Sequence, residues 1–133
     1  MKLVPSRLRK GKRRREPRFW IVCQPEYSRD GGEPRLVQIT VAIRNDSDLP
    51  HRLDEALIRY DDGRVGLRLP LDVQLVENIP PHESVRINVP ADALLDPGPA
   101  SRFRVVGYRG RHGRRLEWSS KEERFSPAAT PPA

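Results

Sequence analysis

The chain has 133 residues and a mass of 15.3 kDa, room for one domain of ordinary size, and Leu, Ile, Val and Phe make up about a quarter of it, above the roughly 20% needed to offset the ordering entropy of folding. No apolar run approaches the roughly 18 residues of a membrane-spanning helix, and the run nearest the basic N-terminus, Phe19 to Cys23, is shorter than the roughly 7 to 15 residues of a signal-peptide core. Cys23 is the single cysteine, which excludes an internal disulfide and a multi-thiolate zinc site and makes a reducing cytoplasm the expected compartment.

The net charge of +7 is unevenly spread. Residues 1–18 carry nine basic side chains against Glu16 alone, residues 19–96 hold eight basic and 14 acidic groups, and residues 97–133 hold eight basic and three acidic ones. The basicity therefore belongs to an N-terminal arm and a late hairpin, while the body between them is mildly acidic.

Residues 1–18 have no apolar stripe, and the like charges from Lys10 to Arg15 repel one another at helical spacing, so a flexible arm is expected. Phe19 to Cys23 reads as a strand running into a polar loop at Asp30, Gly31 and Gly32. Val37, Ile39, Val41 and Ile43 alternate with Gln38, Thr40, Ala42 and Arg44, the pattern of a half-buried strand. It ends at Asn45-Asp46-Ser47-Asp48-Leu49-Pro50, where side chains that bond to nearby backbone favour a turn. Ala56, Ile58 and Tyr60 lead into the hairpin signal Asp61-Asp62-Gly63, and Val65, Leu67 and Leu69 return from it. A short edge strand is expected from Asp72 to Glu77, a turn at Ile79-Pro80-Pro81, a strand through Val85, Ile87 and Val89, and one helical turn from Ala91 to Leu95. Phe103 and Val105, with Val106 and Tyr108 on the other face, then a turn from Gly110 to Gly113 and a strand through Leu116 and Trp118, complete the pattern. The periodicity places Val37, Ile39, Val41, Ile43, Ile58, Val85, Ile87 and Val105 in a common core.

Seven or eight short strands without a long helix predict an all-β fold, a single antiparallel β-sandwich over residues 19–125, between the arm at 1–18 and a Pro/Ala-rich disordered tail at 126–133. The strand running into Ile43-Arg44-Asn45-Asp46-Ser47, the entry Ile79-Pro80-Pro81-His82-Glu83-Ser84-Val85, and Phe103-Arg104-Val105-Val106-Gly107-Tyr108 before a Gly-bounded hairpin resemble immunoglobulin-like and fibronectin type III-like sandwiches. That resemblance implies architecture and no activity. The inter-sheet cysteine pair of antibody domains is absent.

Catalytic and metal chemistry find little support. His51, His82 and His112 lie about 30 residues apart with no second ligand at metal spacing, no serine sits in a Gly-x-Ser-x-Gly turn, and Cys23 reads as apolar filler in a strand. The acids Asp46/Asp48 and Asp61/Asp62 fit turn chemistry better than calcium ligation. No catalytic residue, metal or cofactor is expected, and the chain is not expected to be an enzyme. Arg14-Arg15-Glu16-Pro17-Arg18 and Asn45 to Pro50 resemble in part the Arg-x-x-x-Arg and Asn/Asp-x-Ser-x-x-Gly elements of PilZ domains, with Pro50 in place of the glycine. That resemblance implies cyclic di-GMP on a β-barrel, arginines on its phosphates, and Asn45 and Ser47 on the nucleotide.

The leading expectation is a non-catalytic interaction module of a bacterial or phage-like protein, binding another protein through a sheet face or edge. The alternative is an anion-binding protein that uses the arm on nucleic acid or an anionic membrane surface. Its candidate residues are Lys10, Lys12, Arg13, Arg14, Arg15 and Arg18, extended by Arg111 and Arg114. The arm lacks aromatics before Phe19 and Trp20, so its contacts would be to phosphate and indifferent to sequence. On that alternative, replacing Lys12, Arg13, Arg14 and Arg15 by alanine weakens binding to all nucleic acid sequences alike and flattens the salt slope by a few units in a salt titration, as the loss of roughly four phosphate contacts requires. A sequence-selective loss contradicts it.

Overall fold

The computed structural model describes residues 16–29, 31–70, 78–110 and 114–127. The arm up to Arg15, the strand expected at Asp72 to Glu77, Arg111 to Gly113 and residues 128–133 lie outside them. The described residues form two antiparallel sheets and, as expected, a single helical turn at Ala91–Ala93.

The first sheet has the order β1 (Phe19–Tyr27), β2 (Leu36–Asn45), β5 (Ser84–Pro90). The second runs β4 (Val65–Arg68), β3 (Glu55–Tyr60), β6 (Arg102–Arg109), β7 (Leu116–Ser119), with β8 (Glu123–Arg124) continuing along the edge of β6 that β7 begins. Between β7 and β8 the ladder is held by Ser120. Its N–H donates to Val105 O at 2.9 Å, and its hydroxyl accepts the Val105 N–H at 3.0 Å, replacing the carbonyl that a regular strand would supply. β8 is two residues long, too short to show any hydrophobic alternation.

Period-2 patterning builds the core. Phe19, Ile21 and Cys23 from β1, Ile39, Val41 and Ile43 from β2, and Ile87 and Val89 from β5 meet Ala56, Ile58 and Tyr60 from β3 and Phe103 and Val105 from β6. The sheets approach closely at Gly107, where a Cβ would come within 2.8 Å of Leu53 Cδ1 and 3.1 Å of Ile21 Cδ1.

Of the eight residues assigned to the core, Val37 is misplaced, since it is 48% exposed. The β1–β2 register pairs Glu26 with Gln38 but Tyr27 with Leu36, so Val37 is the extra residue of a β-bulge. The alternation flips there, and Leu36 packs on the core in its place. A second bulge, at Gly66, pairs Ile58 with Leu67 but Arg59 with Val65. Leu67 therefore faces the core while Val65 packs on the opposite face. A side chain at Gly66 would run into the ring of Tyr60.

The chain crosses from the first sheet to the second between β2 and β3, and Asn45 holds that crossing. Its side chain is wholly buried. Nδ2 donates to Leu49 O and to Ile79 O, each at 2.8 Å, while Oδ1 accepts the Ser47 N–H at 2.9 Å and the Ser47 hydroxyl at 2.6 Å. Both donors and both acceptor sites of the carboxamide are thus used. Ile79 also exchanges two backbone hydrogen bonds with His51, and the Pro80 to Glu83 turn closes behind it with His82 at φ 62. At the other end of the molecule, Phe125 packs edge-on against Tyr60, with ring centroids 5.0 Å apart, and at 4.9 Å against Phe103.

Asn45→Ala leaves Leu49 O, Ile79 O and the Ser47 N–H without that partner in a buried site and is expected to destabilise the fold by about 3 kcal/mol or more. Asn45→Asp is expected to be worse, because a carboxylate would face two carbonyl oxygens. Urea denaturation of both variants checks this, with Thr40→Val on the exposed face as a near-neutral control.

Candidate functional site

The five apolar residues Phe19 to Cys23 exceed what a half-buried edge strand needs. Phe19, Ile21 and Cys23 point inward, while Trp20 and Val22 point out and remain 64% and 36% exposed. Trp20 lies beside Arg44 and Val22 beside Ala42 on β2, with Arg86 of β5 next along the row.

Backbone direction follows from one hydrogen bond. The Asp46 N–H donates to Arg18 O at 2.7 Å, and in an antiparallel ladder paired groups alternate. Even-numbered residues from Arg18 to Glu26 therefore turn their N–H and C=O toward β2, and odd-numbered residues turn theirs away. Among the described residues, β1 has no strand partner on that outer side. Phe19, Ile21 and Cys23 present both groups there, and Pro17 and Pro25, each two residues beyond, supply a carbonyl but no N–H. Consistent with an open edge, these three residues keep 5 to 6% exposure, whereas Ile39, Val41 and Ile43 on the central strand have none.

Alongside this edge runs a groove of about 740 Å³. One wall is the continuous stretch from Arg18 to Cys23, and the other is Trp118, Ser119, Lys121 and Glu123 at the edge of β7 and β8. Trp118 meets Phe19 edge-to-face at 4.9 Å and closes the groove toward the core. Farther along, the Tyr27 hydroxyl donates to Arg124 O and ties β1 to β8. From Arg18 to Cys23 the open edge is about 17 Å long at roughly 3.4 Å per residue.

Cys23 borders this groove but is buried, and burial, with a smaller contribution from Glu123, pushes its thiol up from an ordinary value near 9 to about 12. The thiol stays protonated and poorly nucleophilic at neutral pH.

Of the candidate anion-binding residues, Arg18 and Arg114 fall within the described residues. Arg18 lines the groove, and Arg114 is exposed before β7, with its carbonyl against Gly110. Lys10, Lys12, Arg13, Arg14, Arg15 and Arg111 lie outside. The neighbouring arginines of the late hairpin are engaged: Arg115 with Glu55 and over the Tyr108 ring at 3.7 Å, Arg102 with Glu122, and Arg109 with Arg52 O at 2.6 Å. Glu55 also pairs with Arg68, and Arg59 donates to the Tyr108 hydroxyl at 3.1 Å. This lattice lies around Leu57, Val106 and Tyr108, buried on the outer face of the second sheet.

Asn45 and Ser47, for which the PilZ resemblance implied nucleotide contacts, have no exposed surface and spend their polar groups on the β2–β3 crossing. Asp61 binds the N–H and hydroxyl of Ser101, Asp62 caps the Arg64 N–H, and Asp48 lies 2.9 Å from His82 Nε2. No group of metal-ligating side chains is assembled among the described residues. What sequence reasoning missed was Trp20 and Val22. The available signal was an unbroken apolar run where an edge strand should alternate, set between two prolines at equal distance from Ile21.

No protein-family model and no curated protein matches the chain. Among solved structures, the X-ray structure of a Northeast Structural Genomics Consortium target, SoR45, is similar over 84% of this chain and 86% of its own, at 16% identity and a TM-score of 0.44.

The buried thiol makes a testable contribution to stability. An unfolded Cys23 ionises near pH 9 and the folded one near 12, so the folded state binds the extra proton between these values. Its contribution is fully present below pH 9 and is lost as pH rises toward about 12. Cys23→Val is expected to flatten the fall in thermal stability over this window relative to the parent. Equal slopes would contradict the assignment.

Proposed function

We propose that this chain is a non-catalytic interaction module with an immunoglobulin-like sandwich, and that it docks another polypeptide as an added strand along the open edge of β1. The observation that carries this reading is the coincidence, over Phe19 to Cys23, of a backbone edge with no strand partner among the described residues, a groove beside it and the outward pair Trp20 and Val22. Main-chain pairing supplies affinity in strand addition, and alternate side chains of the incoming strand supply specificity. Here the alternate residues would meet Trp118 and Ile21 on the groove side and Trp20 and Val22 on the outer side. The prolines at 17 and 25 limit the pairing to a short strand, which suits a reversible contact rather than indefinite edge-to-edge growth.

A photoreactive amino acid at position 22, with one at position 88 on the far edge of the same sheet as control, tests this. Cross-linking in cells and mapping of the joined peptides should give adducts from position 22 in one extended segment of the partner and none from position 88. Adducts of equal yield from both positions, or none from position 22, would overturn the docking site.

A further inference from the structure

The open edge is self-complementary, and we infer that its occupant is β1 of a second copy of this chain, paired antiparallel about a two-fold axis through Ile21. This rests on the strand-addition reading of the same edge and adds the identity of the strand. With Ile21 opposite the second copy's Ile21, Phe19 falls opposite Cys23 and Cys23 opposite Phe19. These are the three residues whose N–H and C=O face outward, so each pair exchanges two hydrogen bonds. Pro17 then faces Pro25 at both ends, so neither missing N–H leaves a gap inside the ladder.

Both neighbouring symmetric registers are worse. Centring on Phe19 sets Pro17 opposite Ile21, and centring on Cys23 sets Ile21 opposite Pro25, so each breaks the ladder at the pair next to the two-fold axis, whereas centring on Ile21 moves its four missing N–H groups to the two ends. Side chains on the outer face select the same register. Centred on Ile21, Trp20 stands opposite the second copy's Val22 in a non-hydrogen-bonded pair, where side chains come closest. The two exposed apolar groups of each copy, at 64% and 36%, thus cover one another twice. Centred on Phe19, Trp20 would meet Arg18 and Val22 would meet Glu16; centred on Cys23, Trp20 would meet Glu26. Charge agrees as well, since Arg18 stands opposite Gln24 and within diagonal reach of the second copy's Glu26, both exposed. Isologous pairing of this kind closes on itself and leaves no further edge of β1 to propagate.

Sedimentation of the full chain over a range of concentrations, together with two sets of variants, tests this. The parent is expected to approach twice 15.3 kDa in a concentration-dependent manner, and Trp20→Lys and Val22→Lys, each outward and checked for folding by circular dichroism, are expected to sediment as monomers. Register is read by oxidising a mixture of Trp20→Cys and Val22→Cys chains, which should form the mixed disulfide in preference to either self-linked product. A parent that stays monomeric at all concentrations, or a dimer that both lysine variants leave intact, overturns self-pairing. If the parent is monomeric while position 22 still cross-links one segment of a different protein, self-pairing fails and the docking edge stands. If position 22 cross-links nothing, both fall.

Discussion

A two-sheet fold must pass its chain from one sheet to the other, and each passage buries backbone groups that have no strand to pair with. Here that constraint is met by one carboxamide. Asn45 ends β2 and gives both protons to the carbonyls of Leu49 and Ile79, while its oxygen receives Ser47. A hydrophobic residue at this position would fill the space and remove all four of these hydrogen bonds, leaving Ile79 O with the His51 N–H alone and Leu49 O with the Ser47 hydroxyl alone, and an acid would repel the carbonyls. The crossing, the Ile79 segment and the entry to β5 are therefore fastened at a single point. The same engagement removes Asn45 and Ser47 from any ligand chemistry, so a sequence likeness to a nucleotide-binding element has a structural meaning here.

With the crossing fixed, β1 lies at the margin of its sheet. Edge strands expose donors and acceptors that other chains can pair with, and proteins restrain them with prolines, charges and bulges. β1 and β5 each carry a proline, Pro25 and Pro90, whose missing N–H falls on the unpaired side. On β1 the restraint is partial. Between Pro17 and Pro25 an uninterrupted set of outward groups remains, and beside it the groove is walled by Trp118, Ser119, Lys121 and Glu123. The absence of charge from Phe19 to Cys23 gives this stretch a character that solubility alone does not explain.

The second sheet treats its outer face differently. Leu57, Val106 and Tyr108 are buried there among arginines anchored on Glu55. Long arginine side chains lay their apolar stems along such a cluster while the guanidinium stays charged, and stacking on Tyr108 adds a cation–π contribution. Much of the late hairpin's positive charge thus belongs to the internal economy of the sheet. Arg115 pairs with Glu55, 60 residues earlier in the chain, a contact that charge counted along the sequence does not register.

The amino-acid order by itself determined the all-β character, the strands through Ile39 to Ile43, Ala56 to Tyr60, Val85 to Val89 and Phe103 to Tyr108, and the turns between them. Alternation and turn chemistry act over a few residues and are legible wherever they occur. Val37 and Val65 escaped that reading because a bulge is a property of a pair of strands, and one extra residue opposite a partner reverses the face of everything beyond it. The short β8 escaped it because two residues cannot display an alternation, and only the pairing of Glu123 with Phe103 and of Arg124 with Arg102 places them in the sheet. The candidate site was half visible, as an apolar run between two prolines, but the sequence carries no mark of which backbone groups along that run are already used. That was decided only when Arg18 bonded to Asp46 and β1 took its register on β2, since pairing direction is fixed by a neighbour 28 residues away rather than by the strand itself.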